Sequence, residues 1–231
     1  MTRRRSTLRA GVLVALCFGA VVLAQGRHPV SGRIIAPVMG VGGAGWLERP
    51  ERDAEENTTT AIRALRIQRD QVVADIGAGS GYYTVRMAAE VGPRGKVYAT
   101  DIQPGMLDIL RRRLTREGLT NVETVLGLPD DPKLPADTLD LALMVDVYHE
   151  LESPQVFVRR LRAALKPTGR LVLLEYRKED PRVPIRPEHK MSIAEVKAEL
   201  EPEGFKLVRV LNDLPWQHIL VLQRSDAPAA P

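Results

Sequence analysis

From residue 71 onward, compact apolar runs alternate with stretches whose apolar positions fall at helical spacing. QVVADI (71–76) is a short apolar run that stops at an acid, an isoleucine and a glycine, as a buried strand does. Residues 81–91 place Val85, Ala88 and Ala89 on one helical face, and KVYATD (96–101) reads as the next strand. Pro104 suits the first turn of a helix, Leu107, Leu110 and Leu114 give it an inner face, and Gly118 caps its end. NVETVL (121–126) and LDLALMVDV (139–147) come next as strands, the second apolar enough to be buried on both faces. Ser153 and Pro154 open a helix with Phe157, Leu161 and Leu165 inward, and RLVLLEY (170–176) is a further strand. Ser192 and Glu195 have the spacing of a capping box for a helix through Val196 and Leu200. FKLVRVL (205–211) and HILVLQ (218–223) close the pattern.

Strands separated by helices predict an α/β fold with a doubly wound, mostly parallel sheet of seven strands. The last two strands are too close in sequence for a right-handed crossover, so they predict an antiparallel hairpin near one edge. Upstream, residues 51–67 predict a helix facing inward through Ile62 and Leu65, and residues 25–50, with glycines at 32, 40, 42, 43 and 45, predict irregular chain. The expected organisation is a leader over 1–24, a Gly-rich lid or linker over 25–50, the main domain over 51–225 and a disordered tail over 226–231.

The opening MTRRRSTLRAGVLVALCFGAVVLAQGRHPV changes the picture of charge and compartment. Arg3, Arg4, Arg5 and Arg9 precede an uncharged apolar stretch over 10–24, with small residues before a cleavage point, which is the layout of a secretory signal; the alternative is an uncleaved anchor. Arginines ahead of the stretch orient the downstream chain outward, so an exported, periplasmic or outward-facing anchored protein is expected, or a cytoplasmic one where the signal is inefficient. The run Arg4-Arg5-Ser-Thr-Leu8 resembles a twin-arginine signal, with Thr7 where such signals carry a bulky apolar residue. The formal charge of +4 equals the four arginines of this segment, so the remainder is near neutral and nucleic acid is not an expected partner. Cys17, the sole cysteine, also lies there, so residues 25–231 hold no disulfide and no thiol ligand or nucleophile.

Ligands of doubly wound sheets sit beyond the C-terminal strand ends. The loop after the first strand reads Asp75-Ile-Gly77-Ala-Gly79-Ser-Gly81, which lets backbone approach a ligand closely, and the second strand ends in Asp101, a carboxylate suited to two ribose hydroxyls. The spacing is G-x-G-x-G, not the G-x-G-x-x-G of dinucleotide sites, and the acid ahead of it suits a ligand carrying positive charge. With VVADIGAGSGYYT, VYATDIQPGML, LDLALMVDVYHEL and LKPTGRLVLLEY in this order, the sequence resembles the class I S-adenosylmethionine-dependent methyltransferases of the quinone-biosynthesis-like, type 11 group, over roughly residues 55–225. The resemblance implies a Rossmann-like sheet whose seventh strand runs antiparallel between the fifth and sixth. It implies S-adenosylmethionine as cofactor, with Asp75 near the methionine part, Gly77, Gly79 and Gly81 giving the backbone access, Asp101 on the ribose and Ile102 against the adenine. Within GLPDDPKLP, Asp130 is the candidate for the adenine amino group.

Methyl transfer from a sulfonium is an in-line displacement, so the protein must align the partners and exclude water, with a base only where the acceptor is protonated. The end of the fourth strand offers Asp146, His149 and Glu150, with His149 as a base oriented by Glu150 or Asp146; Asp146 also faces the cofactor. Glu175 ends the fifth strand on the same rim, and His189 lies in a loop able to hang over it. His218 reads as structural, and the four histidines, lacking H-x-x-H or H-x-x-x-H spacing, carry no sequence signature of a metal site. Trp46 in GVGGAGWLERPER is the candidate cover; Arg49 and Arg52 bind an anion or pair with Glu51, Glu55 and Glu56, and removal of 26–46 should impair turnover more than folding. The expected partner is a small-molecule methyl acceptor, with membrane contact only through an uncleaved N-terminal segment and the oligomeric state open. A non-catalytic S-adenosylmethionine-binding protein and a nicotinamide-dependent oxidoreductase are the competing readings.

Overall fold

The computed structural model describes residues 26–228; residues 1–25, with the expected leader, and residues 229–231 lie outside the described residues. The strands are β1 (Val72–Ile76), β2 (Lys96–Asp101), β3 (Val122–Leu126), β4 (Leu139–Val145), β5 (Leu165–Arg177), β6 (Lys190–Met191), β7 (Phe205–Leu211) and β8 (Gln217–Arg224). The helices are α1 (Ala44–Leu47), α2 (Arg52–Glu56), α3 (Thr58–Leu65), α4 (Thr84–Val91), α5 (Pro104–Glu117), α6 (Pro154–Ala164) and α7 (Ile193–Leu200).

The sheet order is β3-β2-β1-β4-β5-β8-β7, and β8 runs antiparallel to both β5 and β7 while the other pairs are parallel. The short link between β7 and β8 leaves room only for a hairpin, as expected. The strand missed is β6, two residues paired with the end of β5, too short to leave a periodic signal. Both sheet faces are covered. Ala74 and Ile76 of β1 face the α6–α7 layer, and Val73 faces the α3–α4 layer. A register shift in β4 between Leu139 and Leu141 puts these two odd-numbered residues on opposite faces.

Four local details differ from the pattern reading. The expected helix over 51–67 breaks into α2 and α3 at Asn57, whose left-handed backbone (φ 47°) ends one helix and whose side chain caps the next through Thr60 N–H. Ala89 is exposed and Met87 takes the core position on α4. β4 stops at Val145 because Asp146 turns left-handed at φ 55°, which an extended strand cannot continue through. Leu165, expected on α6, is the first residue of β5.

Residues 26–36 are less free than their composition suggests. Arg27 bridges to Ile34, and the buried Arg33 guanidinium bonds Glu199 of α7 at 2.9 Å and the carbonyl of His149 at 3.0 Å. His28 Nε2 lies 3.2 Å from the same Glu199. Deleting 26–46 would therefore strip a buried carboxylate of its counter-charge, so stability as well as turnover would suffer. Of the tail, Asp226 is held by Arg162 at 2.7 Å and Arg224 at 3.0 Å.

Candidate active site

A cavity of about 570 Å³ opens beyond the C-terminal ends of β1, β2, β4 and β5. This is where the sheet order reverses, with β1 and β4 as neighbours whose chains leave in opposite directions. Its floor is the loop after β1. Gly77 and Gly79 line the cavity with φ of 68° and 53°, and a Cβ on Gly77 would lie 2.6 Å from Val147 Cγ2. Gly81 is turned away and packs on Leu110, so its role is the turn into α4.

Asp101 lies in the cavity wall and accepts from Gly79 N–H at 2.9 Å and Gln103 N–H at 2.8 Å. The carboxylate therefore shapes the glycine loop as well as the wall. Burial raises its pKa, against the hydrogen bonds, which lower it. Ile102 is half open and flanks it, in position for a flat apolar ligand surface. Asp75 is not in the wall. It is buried beneath the loop, accepts from Thr84 Oγ1 at 2.5 Å, and burial pushes its pKa up to about 6. Its direct action is on the loop-to-helix junction.

Asp130 is not among the lining residues: its carboxylate is paired with Arg160 at 2.9 Å, on the outside of the loop. Gly127, Leu128 and Pro129 occupy the wall there, so an adenine would meet apolar surface and backbone rather than the expected acid. Met39, Trp46 and Leu47 also line the cavity. Gln103 Nε2 bonds the Met39 carbonyl at 2.9 Å, and Ser80 and Arg113 bond Glu48 at 2.5 and 2.6 Å, which ties this segment to the rim. Arg49 stacks over Trp46 with its charge centre 3.6 Å from the ring centroid and pairs with Glu55. Arg52 pairs with Glu56 at 2.9 Å. The pairing alternative thus accounts for both arginines.

The polar wall comes from three segments. His149 and Glu150 ride on the turn Tyr148–Glu150, Glu175 on β5, and His189 on the turn Pro187–His189. His149 Nδ1 is 2.6 Å from Glu175 Oε2, and Tyr148 N–H donates to Glu175 Oε1 at 3.0 Å. Glu175, rather than Glu150 or Asp146, orients the imidazole. On the other side His149 Nε2 lies 3.1 Å from His189 Nδ1 and 4.0 Å from Glu150 Oε1. Desolvation lowers the His149 pKa to about 3, helped by Arg33, so the ring is neutral. Burial raises the Glu150 pKa to about 8, with neighbouring carboxylates adding to the shift; burial also raises Glu175, opposed by Arg33 and by the contacts from Tyr148 and His149.

Asp146 accepts from Gln217 Nε2 at 2.7 Å, and its other oxygen, Oδ1, is shut off from solvent with no partner among the described residues. Burial first, then Glu56 and Glu175, raise its pKa well above the usual carboxylate range. An unpaired carboxylate oxygen at the cavity wall beside a glycine cradle fits a ligand that brings its own positive amine. Gln217 was not foreseen, because a glutamine one residue ahead of an apolar run gives no signal. His218 is buried within the sheet opposite Glu175.

The fold and cradle define the class: this is the Rossmann-like fold of the class I S-adenosylmethionine-dependent methyltransferases. A methyltransferase-domain family model matches residues 73–169, the stretch from β1 into β5. The crystal structure of a SAM dependent methyltransferase from Aquifex aeolicus superposes with a TM-score of 0.76 at 27% identity, covering 81% of this chain and all of that one. A ubiquinone/menaquinone biosynthesis C-methyltransferase UbiE of Escherichia fergusonii is 32% identical over 113 residues, 48% of this chain and 45% of that protein. A demethylmenaquinone methyltransferase of Listeria monocytogenes is 26% identical over 114 residues, 49% and 48% respectively. The chain thus spans about half the length of the curated relatives it matches. The glycine cradle, Asp101 and the unpaired Asp146 oxygen fit S-adenosylmethionine, the cofactor named for the Aquifex aeolicus neighbour.

Proposed function

We propose that the protein transfers a methyl group from S-adenosylmethionine to a small, largely apolar acceptor of the kind handled in quinone biosynthesis. The observation that carries this reading is one cavity that runs from Gly77, Gly79 and Asp101 to the His149, Glu150 and His189 wall. When bound, the cofactor supplies an electrophilic methyl on a sulfonium. Asp101 would hold the ribose hydroxyls, and Asp146 Oδ1 would receive the amino group of the methionine part. Met39, Trp46 and Leu47 would exclude water, and their segment would move to admit ligands. The polar wall would face the acceptor. The apolar lining and the two quinone-pathway relatives support the acceptor class.

Calorimetric titration with S-adenosylmethionine and with NAD, followed by incubation with labelled cofactor and a set of quinols and phenols, tests the reading. Saturable binding of S-adenosylmethionine with label transfer is expected. Binding without transfer to any acceptor would favour the non-catalytic alternative, and tight NAD binding with no response to S-adenosylmethionine would overturn both. Export is proposed on the layout of residues 1–24 alone; cell fractionation with mass analysis of the mature N-terminus decides it.

A further inference from the structure

We propose that His149, Glu150 and His189 bind one divalent first-row transition-metal ion, zinc being the reference, on the acceptor side of the cavity. The three side chains offer one ligand atom each, and these atoms all lie within 4.8 Å of one another. A tetrahedral zinc with bonds of about 2.0–2.1 Å sets its ligand atoms about 3.3 Å apart. The two histidine nitrogens, 3.1 Å apart, already have that span. Glu150 Oε1, 4.0 Å from His149 Nε2, must close by about 0.7 Å on that histidine and by up to about 1.5 Å on His189, movements a side-chain rotation supplies.

The support behind the first ligand is what a metal site uses. Glu175 Oε2 sits 2.6 Å from His149 Nδ1 and is itself fixed through Oε1 by Tyr148 N–H. A proton held on Nδ1 by that carboxylate leaves the lone pair on Nε2, aimed at His189 and Glu150. Metal-bound histidines usually donate their other N–H to such a carboxylate, which fixes the tautomer and strengthens the ligand. The two rings stand edge to face at 86°, with centroids 5.1 Å apart.

The same geometry argues against a free general base. His149 Nε2 is already faced by the His189 nitrogen, so an acceptor hydroxyl would have to displace it. Two nitrogens this close need either a proton or a cation between them. Carboxyl groups of Asp101, Asp146, Glu150 and Glu152 line the cavity and would be available to balance a cation; the lining arginines are Arg52, which is committed to Glu56, and Arg186. Three protein ligands leave a position open toward the cavity, the layout of reactive rather than purely structural sites. That position suits an oxygen donor on the acceptor. Neither histidine pattern nor spacing announced the cluster, because residues 149 and 189 meet only through the fold.

The test uses the full chain, stripped with chelator and studied without S-adenosylmethionine, so that its outcome is separate from that of the methyl-transfer reading. Zinc is titrated calorimetrically, and cobalt(II) is titrated with visible absorption. One ion per chain is expected, with a cobalt spectrum of a four- or five-coordinate nitrogen–oxygen site. His189→Ala and Glu150→Gln should each weaken binding at least tenfold, and Glu175→Gln by about 10–100-fold through loss of the supporting carboxylate. His189 lies on a half-buried loop turn, so an unchanged melting temperature will confirm that this variant folds. Absence of saturable binding would overturn the proposal. So would stoichiometric binding that His189→Ala and Glu150→Gln both leave intact, since the ion would then sit elsewhere, Cys17 and His28 being the nearest alternatives in chemistry.

Discussion

Asp75→Asn isolates the effect of burying a carboxylate beneath the glycine loop. Asp75 is 3% exposed, so solvent screens it little, and its pKa rises from 3.8 to about 6 in the fold. Two units at about 1.36 kcal/mol each give about 3 kcal/mol between the protonated and ionised folded forms. The raised pKa means that the folded state binds the extra proton. The associated stability is full below about pH 4 and is lost as pH rises through about 6. Asparagine keeps an oxygen for the Thr84 hydroxyl and never ionises. The variant should match the wild type near pH 4 and exceed it by up to about 3 kcal/mol at pH 7.5. Urea unfolding of both proteins without cofactor, at a series of pH values, measures this. Other buried acids such as Glu150 and Glu175 titrate in both proteins and cancel in the difference. A difference that stays constant with pH would refute the assignment of the buried charge to Asp75.

Asp101→Ala removes a charged acceptor from Gly79 N–H and Gln103 N–H, worth about 1.5–3 kcal/mol each. S-adenosylmethionine affinity should fall at least thirtyfold, roughly 2 kcal/mol, by calorimetry; a change under threefold would remove Asp101 from the ribose role. Gly77→Ala meets a left-handed backbone, costing about 1–2 kcal/mol, as well as Val147. It should lower the melting temperature and abolish the thermal shift given by S-adenosylmethionine. Arg33→Ala leaves Glu199 buried and short of its counter-charge, for an expected loss of about 3–5 kcal/mol in urea unfolding, and a loss near zero would mean His28 suffices. Trp46→Ala should change stability by no more than about 0.5 kcal/mol, because Trp46 is 43% exposed, yet weaken ligand binding several-fold. Unchanged binding would remove the cover reading.

The strands were legible because burial on both faces of a parallel sheet demands long apolar runs. VVADI, KVYATD and FKLVRVL lie within a residue of the segments that the pattern predicts. The capping box at Ser192 and Glu195 and the C-cap at Gly118 formed as their local chemistry requires. Gly77, Gly79 and Asp101 were found at the cavity because loop and strand end carry their constraint locally. Asp130 was misjudged because the direction of a loop side chain depends on its partner, here Arg160 on another helix.

The sequence by itself determined the layered α/β architecture, the reversed final strand and the glycine cradle. Each of these arises from period, spacing or backbone freedom within a few consecutive residues. Only the tertiary structure decided which carboxylate serves His149. Glu150 is adjacent in sequence but 4.0 Å away, whereas Glu175, twenty-six positions on, lies at 2.6 Å because β4 and β5 pair side by side. It likewise brought His189 to His149 and Arg33 to Glu199. Contacts between distant segments depend on strand register and on where loops turn back, and those are set by packing of the whole sheet rather than by any local pattern.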